Sequence, residues 1–94
     1  MRILFFGDSI TDMARDRKYG NLIYGYGVGY VNLIASELRY IDPIKFDIIN
    51  RGISGNRIVD LYARIKCDCW NHEPDLISIL IGINDIWHEV GRKN

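Results

Sequence analysis

Phe5-Phe6-Gly7-Asp8-Ser9-Ile10-Thr11 decides the fold: an apolar run stops abruptly at a glycine, an acid and a hydroxyl, close to the start of the chain. Arg2 to Phe6 reads as a short strand of branched and aromatic residues. Gly7 lets the backbone turn sharply enough to lift Ser9 onto the carboxyl end of that strand. Ligands of open parallel sheets bind at this edge. The same residues also suit a plain turn and helix start, because Asp8, Ser9 and Thr11 are all good N-cap types. The triplet alone does not choose between chemistry and capping.

Two later segments repeat the pattern. Phe46-Asp47-Ile48-Ile49 runs into Asn50-Arg51-Gly52-Ile53-Ser54-Gly55-Asn56, and Leu76 to Ile81 runs into Gly82-Ile83-Asn84-Asp85. If the three strands are parallel neighbours, three polar turns meet at one edge of one sheet. A serine hydroxyl, glycine amides and an asparagine carboxamide then converge. Together they make a nucleophile and an oxyanion hole, the donor set that stabilises the negative oxygen of an acyl-transfer intermediate.

Between these segments the chain alternates without repeats or low-complexity stretches. Met13 to Gly29 reads as a long loop with Tyr19, Tyr24 and Tyr26, of the length that is more often functional than idle. Its tyrosines either face a substrate or pin the loop to the domain. Val28 to Tyr40 reads as a helix with Val31, Ile34, Ala35 and Leu38 on one face. Asn56 to about Trp70 reads as a second helix, with Asn56 as its cap. Ile58, Leu61, Tyr62 and Ile65 are expected inward, and Arg57, Asp60, Arg64 and Lys66 outward. Leu76 to Ile81 is apolar on both faces apart from Ser78, as in the middle of a parallel sheet covered on both sides.

Three such blocks, in this order, resemble the GDSL or SGNH hydrolases. Gly7-Asp8-Ser9-Ile10 is similar to the family's first block with Ile in place of the final Leu, Asn50 to Gly55 to the second, and Gly82-Ile83-Asn84-Asp85 to the third. The resemblance implies that Ser9 is the nucleophile. It also implies that the Ser9 and Gly55 amides, with the Asn84 carboxamide, form the oxyanion hole. The implied fold is α/β, a three-layer flavodoxin-like parallel sheet of which this chain carries the first three strands in order 2-1-3.

The family's fourth block, an Asp-x-x-His whose histidine is the general base, is missing from its usual place. Residues 1–94 are therefore expected to be a partial domain without the carboxyl-terminal half, inactive or nearly so alone. Asp85-Ile86-Trp87-His88 has the Asp-x-x-His spacing but overlaps the third block. His88 is accordingly read as a candidate pocket residue with Asp8, Tyr24, Tyr26, Asp85 and Trp87, or as a loop histidine of no special duty, before it is read as the base. His72 is expected at the opposite end of the sheet.

Composition narrows the partners. Twelve basic and twelve acidic residues balance to a formal net charge of zero and are scattered along the chain, which argues against nucleic acid or an anionic membrane surface. No apolar run approaches a membrane span, and the first residues are too short for a signal peptide, so a cytoplasmic protein is expected. Cys67 and Cys69 would point about 200° apart on a helix, which favours reduced thiols. With His72 they lack the second ligand pair that structural zinc takes, so no metal is expected. The hydrolytic chemistry needs no cofactor. The resemblance implies a small-molecule ester as the partner, with a small acyl group such as acetate on a carbohydrate expected, since Tyr24, Tyr26 and Trp87 offer flat faces for a sugar ring.

Two other readings stay open. One is a flavodoxin-like module for a phosphate or nucleotide, although Gly25-Tyr26-Gly27-Val28-Gly29-Tyr30 does not satisfy the dinucleotide fingerprint. The other is a non-catalytic remnant of the fold. Finally, a third strand with no neighbour on its far side leaves backbone groups unpaired, so self-association or a missing carboxyl-terminal segment is expected to cover it.

Overall fold

A computed structural model describes the backbone of residues 1–18 and 23–91, and their side chains except at positions 23, 24 and 88–91. Three parallel strands form one sheet in the order β2-β1-β3, where β1 is Arg2–Gly7, β2 is Asp47–Gly52 and β3 is Leu76–Leu80. Helices α1 (Ser9–Asp12) and α2 (Tyr30–Ile41) follow β1. Helix α3 (Ile58–Asp68) follows β2, and α4 (Ile83–Gly91) follows β3. No helix among the described residues is long and apolar enough to cross a membrane.

The central strand carries both halves of the core. Side chains alternate across a strand, so Ile3 and Phe5 join Ile48, Tyr26, Val31 and Ala35 on the face covered by α2. Leu4 and Phe6 join Ile49, Leu61 and Cys69 on the other face, under α3. An apolar residue at every position from Ile3 to Phe6 is thus what a strand buried on both sides requires. The chain moves from β1 to β2 on one side and then crosses back to β3 on the other. That reversal makes the carboxyl end of β1 a topological switch point, where open α/β sheets hold their ligands.

The strand register fixes where that end lies. Gly7 pairs with Gly52 on one side and with Leu80 on the other, so all three strands finish at the same level. β2 runs past the expected Ile49 as far as Gly52, because the pairing with β1 continues and Asn50 turns its side chain inward to bond backbone. At the opposite end Arg2 donates from Nε to Asp47 at 2.8 Å and from Nη1 to the carbonyl of His72. His72 therefore lies far from the switch point, as expected. Partial burial, then the nearby Arg51 guanidinium, holds its imidazole below the ordinary value.

Two helix faces depart from the sequence expectation. On α2, Val31 and Ala35 are buried but Ile34 is 38% exposed. On α3 the inward stripe is rotated by about one residue: Leu61 is buried, Ile58 and Tyr62 are 58% and 80% exposed, and Arg64 points inward. Apolar spacing alone could not find this, because the inward stripe includes Arg64 and Asp68, whose charged ends pair at 3.1 Å. Nor does Asn56 cap α3. The Asn56 Oδ1 instead accepts from Arg64 Nε, while Asp60 accepts from the Arg57 amide and Asp85 from the Ile58 amide.

β3 is less covered than its composition demands. It pairs only with β1 among the described residues, and Leu76, Ile77, Ile79 and Leu80 are all exposed, from 38% to 58%. Trp87 on α4 adds a ring that is 68% exposed.

Candidate active site

Gly7 is a glycine because the strand end is crowded. A Cβ there would overlap the Leu80 carbonyl and the Thr11 hydroxyl. Directly after it Asp8 caps α1, its Oδ1 accepting from the Ile10 amide at 2.9 Å. Asp8 is buried, and its Oδ2 has no hydrogen-bond partner among the described residues. Ser9 opens α1. The first intrahelical donors are the Asp12 and Met13 amides, which leaves the Ser9 amide among those that a helix start does not use.

Two buried polar side chains bind this turn to the second one. Asn50, fully buried, donates from Nδ2 to the Thr11 carbonyl at 2.7 Å and the Tyr26 carbonyl at 2.8 Å, and accepts from the Gly52 amide at 2.9 Å. Asp12 accepts from the Ser54 amide and hydroxyl at 3.1 and 3.2 Å. Arg15 adds a bond from Nε to the Gly52 carbonyl at 2.7 Å. Burial lowers the pKa of Arg15 from its usual value, and the Asp12 carboxylate opposes that shift. The Ile53 amide closes the join by donating to the Gly7 carbonyl at 3.0 Å.

Gly55 follows with φ +85°, a left-handed conformation that glycine adopts without steric cost, and the space where a Cβ would sit is open. The third turn docks on the exit of the second. Asn84 Nδ2 donates to the Asn56 carbonyl at 3.0 Å, and Asp85 Oδ2 accepts from the Ile58 amide at 3.2 Å. A carboxamide has two N–H groups, so the bond to Asn56 orients Asn84 while a second donor remains.

Ser9, Gly55 and Asn84 therefore stand on three adjacent turns at one edge of the sheet, joined by direct hydrogen bonds. The other candidate pocket residues divide. Trp87 is exposed on α4, the helix that follows the third turn. Asp85 holds the start of α3, and Asp8 is buried beneath Ser9. Tyr26 departs from the pocket expectation: its ring is 2% exposed in the core and its hydroxyl accepts from Arg39 Nη2 at 2.6 Å, so it pins the loop. Burial raises its pKa, with Arg39 opposing. The side chains of Tyr24 and His88, and all of Tyr19, lie outside the described residues. Among the described residues no group of three or more His, Cys, Asp or Glu is placed to hold a metal.

Sequence reasoning gave no role to Asp12 or Arg15 and sent Arg64 to solvent. A polar residue at the end of an apolar strand could have revealed Asn50. Asp12 and Arg15 leave no such trace, because they sit in a run of charge that looks like an exposed loop.

Residues 5–94 match the GDSL-like lipase/acylhydrolase family. The chain belongs to that family. Among relatives of this GDSL-like chain, an acetylxylan esterase of Geobacillus stearothermophilus is 43% identical over 90 residues, covering 94% of this chain and 41% of that protein. A crystal structure of acetylxylan esterase from the same organism superposes with a TM-score of 0.91 at 40% identity, over 98% of this chain and 43% of the other. An alpha/beta hydrolase from the metagenome of Lake Arreo gives a TM-score of 0.91 at 37% identity, over 98% and 44%. The GDSL-like chain thus spans less than half the length of these relatives. Their shared α/β fold agrees with the sheet order found here, and membership goes against a nucleotide-binding module.

Proposed function

We propose that residues 1–94 are the nucleophile- and oxyanion-bearing part of a serine esterase that removes small acyl groups, acetate on a carbohydrate being the substrate class. The observation that carries this reading is the junction of the three turns at the switch point, with Asn84 bonded to the loop that holds Gly55. Acetylxylan esterase relatives supply the substrate class.

In the reaction Ser9 Oγ bonds to the acyl carbon while its proton passes to a general base. The Ser9 and Gly55 amides and the Asn84 carboxamide hold the resulting oxyanion. Collapse expels the alcohol, which takes the proton, and water then repeats the sequence on the acyl-serine. We place the base on an Asp-x-x-His block outside residues 1–94, and Trp87 beside the alcohol. No cofactor takes part. A cytoplasmic setting suits the free thiols of Cys67 and Cys69.

The isolated chain is expected to show no Ser9-dependent turnover of an activated acetyl ester, since losing a triad member leaves only about 10³- to 10⁴-fold over water. Extended by a segment bearing Asp-x-x-His, it is expected to hydrolyse that ester and acetylated xylo-oligosaccharides, with Ser9→Ala abolishing both. Turnover that survives Ser9→Ala, or an extended chain that never turns over, would overturn the reading. We also take the free side of β3 to be paired in the working protein, by a second copy or by a carboxyl-terminal segment. Sedimentation of the 94-residue chain is expected to show association; a dispersed monomer with a cooperative melt counts against it.

A further inference from the structure

We propose that Arg64 is a positioning residue for this hydrolysis, its guanidinium holding the nucleophile turn and the oxyanion turn at a fixed separation. The inference rests on the esterase reading above. Arg64 projects from the middle of α3 and its side chain is 14% exposed. Nη2 donates to the Gly7 carbonyl at 3.1 Å, Nη1 to the Arg51 carbonyl at 2.9 Å, and Nε to Asn56 Oδ1 at 2.8 Å. Gly7 leads directly into Asp8 and Ser9. Arg51 and Asn56 bracket the segment that contains Gly55. Asn56 in turn holds Asn84 through its carbonyl, so one planar group is linked to all three turns without touching Ser9, Gly55 or Asn84.

The rest of the environment keeps that plane in place. Phe6 lies beneath the guanidinium, with the central carbon 4.5 Å from the ring centroid, and Asp68 Oδ2 accepts from Nη1 at 3.1 Å. Three backbone or amide acceptors on separate segments, all held by one side chain, need a rigid fork of donors. A lysine offers a point charge with three donors on a flexible stem, and it cannot span them. Helix α3 thereby fixes the active edge as well as covering the sheet.

The test compares Arg64→Lys and Asn56→Ala with Arg57→Ala, an exposed control, in the extended chain described above. Asn56→Ala keeps the carbonyl for Asn84 but removes the Nε acceptor. Arg64→Lys is expected to lower kcat about 100-fold with KM within about threefold, as for a misplacement on the order of 1 Å. Asn56→Ala is expected to lower it about tenfold, and Arg57→Ala not at all. Rates are referred to folded protein, so a loss of stability alone would not move them.

In the 94-residue chain, the Ser9 and Gly55 amide resonances are expected to shift in Arg64→Lys while those of α2 stay. Folded Arg64→Lys with the parent kcat, or with unshifted amides, overturns the proposal. If Arg64→Lys does not fold, Asn56→Ala at the parent kcat does so. An extended parent chain that shows no Ser9-dependent turnover strikes the esterase reading instead, and the amide shifts still decide the placement of the turns.

Discussion

Asn84→Ala is expected to lower kcat for acetyl-ester hydrolysis by about 10²- to 10³-fold, the usual loss for one oxyanion donor, with KM little changed. The reasoning starts from the two hydrogens of its amide. One is held by the Asn56 carbonyl at 3.0 Å, which fixes the carboxamide before any substrate arrives. The other is available to an oxygen whose charge develops only in the transition state, so its loss should fall on kcat. Stability should fall far less, by about 0.5 to 1.5 kcal/mol for the lost bond to Asn56. Asn84→Asp separates shape from donation, because it keeps the size and replaces the donor with an acceptor. It is expected to be at least as damaging as alanine. Steady-state rates on an activated acetyl ester with the extended chain, alongside thermal melts, check both; an alanine variant within about threefold of the parent would remove Asn84 from the oxyanion hole.

Gly52→Ala is expected to be strongly destabilising. Its Cβ would overlap the Asp12 amide nitrogen and crowd the Thr11 carbonyl carbon and the Asp12 Cα, all of them backbone atoms that no rotamer change can move. Overpacking of this kind typically costs about 1 to 3 kcal/mol. The displacement would also strain the Asn50 bonds to Thr11 and Tyr26 and the Asp12 bonds to Ser54, so a total above about 3 kcal/mol is expected. Gly55→Ala makes the useful contrast. There the space is open and only the φ of +85° resists a side chain, at about 1 to 2 kcal/mol. Denaturant melts of the two variants should therefore rank Gly52→Ala well below Gly55→Ala, and a reversed order would refute the steric argument.

The strand ends were legible in the sequence because each one changes from apolar to glycine and polar within two residues. The three turns could be picked out for that reason, and the apolar stretch from Leu76 to Ile81 pointed to a central parallel strand; the resemblance to the GDSL or SGNH hydrolases then named Ser9, Gly55 and Asn84 within the turns. The polar clamps were not legible. Asp12, Arg15 and Arg64 are charged residues whose burial depends on partners far along the chain: Gly52 and Ser54 for the first two, Gly7 and Arg51 for the third. Helical periodicity assigns such residues to solvent, since it scores what a side chain is made of and not what it can reach. Tyr26 illustrates the reverse. A tyrosine in a glycine-rich loop suggests a substrate platform, yet Arg39 satisfies its hydroxyl, and that let the ring enter the core.

The pairing of Gly7 with both Gly52 and Leu80 has a consequence for evolution of the site. A slip of one residue between β1 and either neighbour would displace a turn by about 3.3 Å and turn the slipped strand's side chains over to the wrong layer. Misalignment of the reactive groups and collapse of the interior are therefore the same event. Substitutions at Ile3, Leu4, Phe5 and Phe6, remote from any substrate, are screened for alignment by folding itself, which frees the outer loops to diverge in specificity while the spacing of the reacting atoms is preserved.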